Sequence, residues 1–385
     1  MKVLKNLEII SMDSGNSKGD ILIEGKEIGL IGRINIPDDI AENTDYEGLT
    51  ATPGLVDSHV HVLGGGGEGG PGSRPIGPTI SDLIVNGVTS VVGVLGFDGY
   101  TRSLLDLHMR TRALKEMGMN AYMMTGAYPI PTPTITEDII HDILLIDEVI
   151  GIGEIAISDR RGMPNSLEKL TDMVHKAYHS YLLTGKGSVI NFHLGDHIKD
   201  PLSILYKLKD GTPIPSRHIL PTHINRSEEV LVDALRYVQS GGYGDITCGF
   251  EDMPLYYVME KIRDYGVDMS RFTLTTDAGG SEPIFDENGV LTGLDVTRED
   301  ILTREIKMAI DHGFELKDIL PLVTSNPASI HLLKNCGTLS PGKRADIIIW
   351  EDNKIKDVYM NGNLVVKNGK PLIRERLRET KNYFE

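Results

Sequence analysis

The chain has 385 residues, of which 40% are hydrophobic and 24% charged, and 39 basic against 55 acidic residues give it a formal net charge of −16. This acidic balance argues against a nucleic-acid partner, and no apolar stretch approaches the roughly 18 residues that would cross a membrane. The two cysteines, Cys248 and Cys336, are too few for a disulfide framework and are typical of reduced thiols, so we expect a cytoplasmic protein.

The two ends of the chain share one pattern, in which short apolar alternations are separated by turns. Asn-Gly pairs at 361–362 and 368–369 lie between such alternations and predict β-hairpins. We expect residues 1–50 and 336–385 to form one small β-sandwich built from both termini.

Between these ends, residues 51–335 alternate short apolar runs with longer amphipathic, helix-like stretches such as 103–118 and 167–185. Strands that alternate with helices predict an α/β protein, and eight such units over this length predict a (β/α)8 TIM barrel. The eight apolar runs are 52–62, 90–95, 120–126, 151–158, 188–195, 219–225, 245–250 and 272–280.

Polar side chains lie at or near the ends of five of these runs, where barrels of this kind place their chemistry. His59 and His61 alternate on one strand and therefore share a face. The others are Glu154, His193, His223 and Asp277. Each alone has an ordinary structural interpretation, such as a hydrogen-bonded histidine or a turn aspartate.

Together, these four histidines and two carboxylates favour a metal centre. Imidazole and carboxylate ligands suit Zn, Mn, Fe or Ni. Six ligands are too many for one tetrahedral zinc, so the set predicts two divalent ions. The other histidines lie in helices or loops and are interpreted as surface or packing residues; they are His108, His141, His175, His179, His197, His218, His312 and His331.

A glycine-rich loop, LGGGGEGGPGSRP (63–75), follows the first run. It lacks the Gly-Lys-Ser/Thr ending of a phosphate-binding loop, so nucleotide binding is not expected. A flexible linker is the simple interpretation. The loop also carries Glu68, which would stand at the mouth of the barrel.

Several stretches resemble a known family. GLVDSHVHV, the histidines near the strand ends, the late aspartate and GTLSPGKRADIIIW resemble the amidohydrolase superfamily, which has a metal-dependent barrel and a small β-sandwich from both termini. The stretches HVHxxGGGGE, MMTGAYPIP, AISDRR, LPTHINR and TLTTDAGGS resemble more specifically the isoaspartyl (β-aspartyl) dipeptidases. This resemblance implies a metallo-dipeptidase that assembles as a homo-oligomer and cleaves the isopeptide bond of β-aspartyl dipeptides.

The resemblance also implies roles for individual residues. His59, His61 and Asp277 would hold one metal, His193 and His223 the second, with zinc as the expected ion. A hydroxide bridging the metals would attack the amide carbon, Asp277 would move its proton to the leaving amine, and Tyr128 would polarise the carbonyl. The substrate would be bound by Glu68 at its amino group and by Arg161, Arg226 and Ser281 at its charged ends.

Two positions depart from the family pattern. Where the family has a carboxylated lysine that bridges the metals, this chain has Glu154, and we predict that Glu154 is the bridging ligand. A barrel-interior carboxylate paired with Lys or Arg is the alternative. In the loop after the second strand, Phe97 replaces a threonine that touches the substrate, so the substrate preference could differ.

Other functions remain open for this sequence. A cyclic-amide hydrolase or an amide deacetylase would share the metal ligands but not the set of Glu68, Arg161 and Arg226. A non-catalytic scaffold would usually have lost metal ligands, whereas all the expected positions here carry residues able to bind metal. A substrate panel distinguishes the dipeptidase from the other two hydrolases. The metal content per chain distinguishes an enzyme from a non-catalytic scaffold.

Overall fold

The computed structural model describes residues 1–11, 13, 15, 17–195 and 200–375. His197 and the last ten residues of the predicted C-terminal strand region therefore lie outside the described residues. The strands, in chain order, are β1 (Lys2–Ile9), β2 (Ser17–Glu24), β3 (Glu27–Gly32), β4 (Glu42–Asp45), β5 (Thr50–Pro53), β6 (Leu55–Val60), β7 (Val88–Gly93), β8 (Asn120–Thr125), β9 (Val149–Ala156), β10 (Val189–His193), β11 (Ile219–Thr222), β12 (Gly244–Thr247), β13 (Phe272–Thr275), β14 (Ser281–Phe285), β15 (Leu291–Val296), β16 (Ile347–Glu351), β17 (Lys354–Met360), β18 (Asn363–Lys367) and β19 (Lys370–Pro371).

The eight predicted runs form the barrel. Strands β6 to β13 pair in parallel, each with its neighbour in the chain. Each of the eight strands begins within three residues of the start of its predicted run. The predicted TIM barrel is therefore confirmed.

The first and last barrel strands meet through the segments that follow their ends. The amide N–H of Asp277 donates to the carbonyl of His59 at 3.1 Å, and the N–H of His61 donates to the carbonyl of Ala278 at 2.9 Å. A parallel bridge joins Val60 to Ala278. These bonds place two of the predicted metal ligands, His59 and Asp277, beside each other at the seam of the barrel.

Helices cover the outside of the barrel, and several begin at the polar caps that the sequence provides. Ser103 and Ser166 each accept a hydrogen bond from the backbone N–H three residues later, which satisfies a free helix-end donor. Among the described residues, no helix has the length and apolar character that a membrane crossing requires. The helices are α1 (Ile80–Val85), α2 (Leu104–Glu116), α3 (Ile139–Leu145), α4 (Leu167–Thr184), α5 (Ser203–Gly211), α6 (Glu228–Gln239), α7 (Leu255–Asp264), α8 (Ile301–Asp311), α9 (Leu316–Ile319) and α10 (Ser325–Ile330).

Both chain ends build one further sheet, as predicted. Its strand order is β19-β18-β17-β16-β5-β1-β2-β3, with β4 paired to β1. The two Asn-Gly pairs join β17 to β18 and β18 to β19 as antiparallel hairpins. The sheet has its own apolar core, which includes Leu4, Ile21 and Ile347. Strand β5 belongs to this sheet and β6 begins at Leu55, whereas the domain boundaries at 50/51 and 335/336 stay a prediction.

The hairpin of β14 and β15, which follows the last barrel strand, was not predicted from the sequence. The two strands pair antiparallel with Ser281 opposite Val296. Most of their residues are half-buried or exposed. The Asn288-Gly289 pair lies in the turn, and Gly289 has a φ of +79°, so this pair is the signal that could have predicted the hairpin.

Candidate active site

The structure brings all six predicted ligands together at the carboxyl ends of the barrel strands. His59, Glu154 and His193 lie on β6, β9 and β10, His61 lies just after β6, and the other two follow β11 and β13. His223 and Asp277 have positive φ angles of 63° and 55°. Non-glycine residues rarely adopt this conformation, and such strain concentrates at functional sites.

Glu154 lies at the centre of this cluster and is 1% exposed. One of its oxygens, Oε1, contacts three histidines, and the other, Oε2, contacts the fourth. The distances are 2.8 Å to His193 Nδ1, 3.3 Å to His59 Nε2, 3.4 Å to His223 Nε2, and, from Oε2, 3.5 Å to His61 Nε2. No lysine or arginine pairs with Glu154 among the described residues, which disfavours the structural alternative weighed for this residue.

A bulge in β9 carries Glu154 toward the histidines. Ile152 pairs with Ile190, but the next pair joins Ile155 to Phe192, so β9 has one extra residue in this interval. Gly153 has a φ of +142°, and a Cβ there would come within 2.9 Å of the Cβ of Asn191. Only glycine fits this position, and a bulge of this kind redirects the neighbouring side chain, here that of Glu154.

Several ligand-type atoms in the cluster are buried without a hydrogen bond. Both ring nitrogens of His59, Nδ1 of His61 and Oδ1 of Asp277 form no hydrogen bond with the described residues, although His59 Nε2 lies 3.3 Å from Glu154 Oε1. His61 Nε2 lies 2.9 Å from Asp277 Oδ1, yet the pair lacks hydrogen-bond geometry at that oxygen. Buried polar atoms normally find partners. Buried nitrogen and oxygen atoms that converge without a full set of hydrogen bonds fit a cation, so these residues suit divalent metal ions.

Two overlapping groups of three residues could each hold a metal ion. Within each group, the ligand atoms lie within 4.8 Å of one another. One group is His59, Glu154 and His223, and the other is His59, His61 and Asp277. His59 belongs to both groups, and Glu154 reaches ligands on both sides. One group agrees with the predicted ligands of one metal, whereas the other includes His59 in place of His193, so the division of the ligands between two metals stays a prediction.

The electrostatics of the cluster also favour cations. Burial raises the pKa of Glu154, but the charges of His59 and His193 outweigh it and hold that pKa well below its usual value. Burial lowers the pKa of His59 and of His61, but the neighbouring carboxylates outweigh it and raise these values to about 9 and about 10. The carboxylates are therefore ionised at neutral pH, and positive charge is held beside them.

Two ligand histidines have a second partner that the sequence analysis missed. Nδ1 of His223 lies 2.8 Å from the hydroxyl of Thr247, and Nε2 of His193 lies 2.9 Å from Oδ2 of Asp159. Contacts of this kind orient metal-binding imidazoles. These contacts could not be predicted from the sequence, because neither partner is near its histidine along the chain.

A cavity of about 220 Å³ opens beside the cluster. Its wall includes His61, His193 and Asp277 on the metal side. The side chain of Asp277 is 18% exposed, so it contacts both the ligand cluster and the cavity. The rest of the wall is formed by Gly66, Phe97, Tyr128, Asp159, Arg161, Arg226, Thr247, Cys248, Phe250, Ser281, Glu282, Pro283, Ile284, Phe285 and Thr297.

Glu68 contacts two residues of the cavity wall. Its Oε1 accepts hydrogen bonds from Arg161 at 2.7 Å and from the Ser281 hydroxyl at 2.8 Å. The chain turns tightly before it at Gly66, whose φ is +65°, and a Cβ there would come within 2.5 Å of both Ser281 and Glu68. The glycine-rich loop is therefore shaped to bring Glu68 against the hairpin, which a flexible linker would not do.

Arg226 lies in another part of the cavity wall and forms fewer hydrogen bonds than Arg161. Its Nε donates to the carbonyl of Leu194 at 2.9 Å, and its guanidinium lies 5.3 Å from the centre of the Phe250 ring. Among the described residues, its terminal amino groups form no hydrogen bond or ion pair. Arg226 can therefore offer charge and hydrogen bonds to a ligand.

Tyr128 and Phe97 form an aromatic corner of the cavity. The Tyr128 hydroxyl lies 2.9 Å from Nδ1 of His193, and burial raises its pKa well above the usual value, so it stays protonated. The Arg161 guanidinium lies 5.4 Å from the Tyr128 ring and 5.9 Å from the Phe97 ring. Phe97 thus supports Arg161 through its ring face, a contact that a threonine could not make.

Comparisons with known proteins place the chain in a family and agree with the fold. A sequence model of the amidohydrolase family matches residues 203–365. The crystal structure of the β-aspartyl dipeptidase of Fervidobacterium islandicum AW-1, in complex with a β-Asp-Leu dipeptide, is 34% identical. That likeness has a TM-score of 0.91 and covers 97% of this chain and 99% of the other.

More distant relatives include enzymes that act on other substrates. Adenine deaminase 2 of Carboxydothermus hydrogenoformans is 25% identical over 381 residues, or 96% of this chain. This chain spans 58% of that enzyme's length. The D-hydantoinase of Bacillus sp. AR9 is 15% identical with a TM-score of 0.65, covering 97% of each chain, which concerns the fold alone.

Proposed function

The chain belongs to the amidohydrolase superfamily, and on that premise we propose that it hydrolyses the isopeptide bond of β-aspartyl dipeptides. Such a dipeptide carries one ammonium group and two α-carboxylates around the scissile amide. The observation that carries the proposal is the presence of two arginines, Arg161 and Arg226, in the wall of one cavity next to the ligand cluster, with Glu68 hydrogen-bonded to Arg161.

The charges of these side chains complement the substrate. A carboxylate attracts the ammonium group, and guanidinium groups bind carboxylates through paired hydrogen bonds. Without substrate, Arg161 pairs with Glu68, while the terminal amino groups of Arg226 are available. We therefore assign the ammonium to Glu68 with Ser281, and the two carboxylates to Arg161 and Arg226.

The ligand cluster would hold two divalent metal ions, with zinc as the expected ion. His59, His61 and Asp277 would bind one ion, His193 and His223 the other, and Glu154 would bridge them. When bound, such ions polarise a carbonyl and supply a nucleophile at neutral pH.

Asp277 would transfer a proton, and Tyr128 would stabilise negative charge on the carbonyl oxygen. Burial raises the pKa of Asp277, but its contact with His61 outweighs this and lowers the value to about 2, so at neutral pH the carboxylate can accept a proton. It would pass that proton to the leaving amine. Tyr128, which stays protonated, would donate a hydrogen bond to the substrate carbonyl oxygen.

Adenine deamination is the second candidate, because the adenine deaminases are relatives over 96% of this chain. Adenine is neutral and has no carboxylate. It would leave Arg226 without an anionic partner and would give the Glu68–Arg161 pair no role. The charged cavity therefore favours the dipeptide.

A substrate panel tests the proposed reaction. One zinc-loaded sample is incubated separately with β-Asp-Leu, adenine and dihydrouracil, and the products are separated by chromatography. We expect aspartate and leucine from the first and no turnover of the others. Ammonia release from adenine, or ring opening of dihydrouracil, with β-Asp-Leu left intact would reject the proposal.

Metal loading tests the role of Glu154. A glutamate needs no carbon dioxide to become a ligand, so zinc uptake by the metal-free protein should be the same with and without bicarbonate. Glu154→Gln removes the negative charge between two cations and should weaken zinc binding at least about tenfold. Zinc per chain, measured after equilibration with a competing chelator, reports both effects.

Glu168→Gln serves as the matched control, since Glu168 is exposed at the start of α4. This variant should load zinc like the parent protein. Uptake that depends on bicarbonate, or a folded Glu154→Gln variant with unchanged zinc affinity, would show that Glu154 does not bridge the metals.

A further inference from the structure

Asp159 lies between the ligand cluster and the substrate cavity. It follows β9, and its side chain is 6% exposed. Its Oδ2 lies 2.9 Å from Nε2 of His193 and 2.7 Å from Nη2 of Arg161. A single carboxylate oxygen thus touches a candidate metal ligand and a candidate substrate-binding residue.

On the His193 side, the contact selects which nitrogen faces the metals. Nδ1 of His193 lies 2.8 Å from Glu154 and 3.0 Å from Nε2 of His223, within the ligand cluster. Nε2 lies 2.9 Å from Asp159, the one carboxylate beside it, while the Tyr128 hydroxyl lies within 3.1 Å of both ring nitrogens. A carboxylate that accepts the Nε2 proton leaves the Nδ1 lone pair free and increases its basicity.

On the Arg161 side, Asp159 makes more than one contact. Its Oδ1 accepts from the backbone N–H of Arg161 at 2.7 Å and from Nε at 3.0 Å, while Oδ2 accepts from Nη2. This paired geometry fixes the plane of the guanidinium. The remaining terminal nitrogen, Nη1, reaches Glu68.

We propose that Asp159 is a positioning residue that serves both halves of the site. It holds His193 with Nδ1 toward the metals, and it holds the Arg161 guanidinium at the substrate cavity. The role toward Arg161 rests on the proposed dipeptidase function, whereas the role toward His193 needs only the metal site. The burial of Asp159 and its contacts on both sides carry the inference.

Asp159→Asn tests the double role with little change of shape. A carboxamide has one acceptor oxygen and one donor group, so it cannot accept from all of the nitrogens that Asp159 contacts. We expect zinc affinity to fall about 10- to 100-fold, as is typical when such an outer partner of a ligand is lost. We also expect the KM for β-Asp-Leu to rise at least about tenfold, on the same scale of effects.

Two control variants separate these effects. Glu68→Gln removes the other partner of Arg161 but touches no ligand histidine, so it should raise KM and leave zinc affinity unchanged. Asp172→Asn removes an exposed charge on α4, where Asp172 pairs with Lys176, and should change neither quantity. Zinc affinity is measured by competition with a chelating dye, and KM is measured on fully loaded protein.

A measurement on the unaltered protein guards against a variant that does not fold. In zinc-loaded protein labelled with 15N-histidine, the ring of His193 should carry its proton on Nε2; its signal is identified by its loss in His193→Gln. A proton on Nδ1 would overturn the proposal.

Unchanged zinc affinity or unchanged KM in folded Asp159→Asn would equally overturn the double role. Failure of the proposed function is recognised separately, because the parent protein would then not cleave β-Asp-Leu. The zinc affinity and the His193 signal would still test the contact between Asp159 and His193.

Discussion

Asp277→Asn is expected to lower kcat for β-Asp-Leu by about 10²- to 10⁴-fold while zinc remains bound. The amide can still offer an oxygen to a metal, but it cannot accept and pass on a proton, and loss of a general base typically costs this much. Asp277 also lies at the cavity with 18% of its side chain exposed, where a substrate can reach it. Steady-state rates and zinc content are measured on the same sample.

The zinc content decides how this result is interpreted. A low rate in a variant that has lost its zinc would reflect a damaged metal site. A zinc-loaded Asp277→Asn variant that turns over at nearly the parent rate would remove Asp277 from the proton-transfer role.

Arg226→Met is expected to raise KM strongly with a smaller change in kcat. A substrate carboxylate in the cavity would lose its charged partner, which costs about 2–5 kcal/mol, or roughly 30- to 4,000-fold in kcat/KM. Methionine keeps much of the side chain's length and its contact with Phe250. The KM of Arg226→Lys should lie between those of the parent protein and Arg226→Met, because lysine keeps the charge but not the paired hydrogen bonds.

Arg236→Met is the matched control, because Arg236 is exposed on α6. It should leave both KM and kcat unchanged. If Arg226→Met kept the parent kcat/KM, Arg226 would not bind the substrate, and the assignment of a carboxylate to it would be wrong.

Much of the fold could be predicted because its signals are local. The apolar runs of the barrel strands are short and buried on both faces, and the Asn-Gly pairs at 361–362 and 368–369 mark hairpins directly. The ligand cluster could be predicted because His59, Glu154 and His193 lie at or near strand ends, which converge in a barrel. Their convergence in the structure follows from this single topological rule.

Other parts of the site depend on contacts that no local pattern encodes. Asp159 faces His193 only because β9 and β10 are neighbours, and Phe97 meets Arg161 only across the cavity. The hairpin of β14 and β15 has weak alternation, since it is half-exposed and packs little apolar surface. The homo-oligomer, the cytoplasmic location and the identity of the metal stay predictions, because a single chain without ligands does not test them.

The central claim is that this site acts on the β-linkage of an aspartyl dipeptide, and one comparison tests it most directly. Initial rates for β-Asp-Leu and α-Asp-Leu are measured on one zinc-loaded sample of known metal content. The two substrates have the same composition and charge and differ only in where the amide lies relative to the ammonium and carboxylate groups. We expect a kcat/KM at least about 10²-fold higher for β-Asp-Leu, because mismatched polar groups are strongly rejected. Equal values, or a preference for α-Asp-Leu, would contradict it.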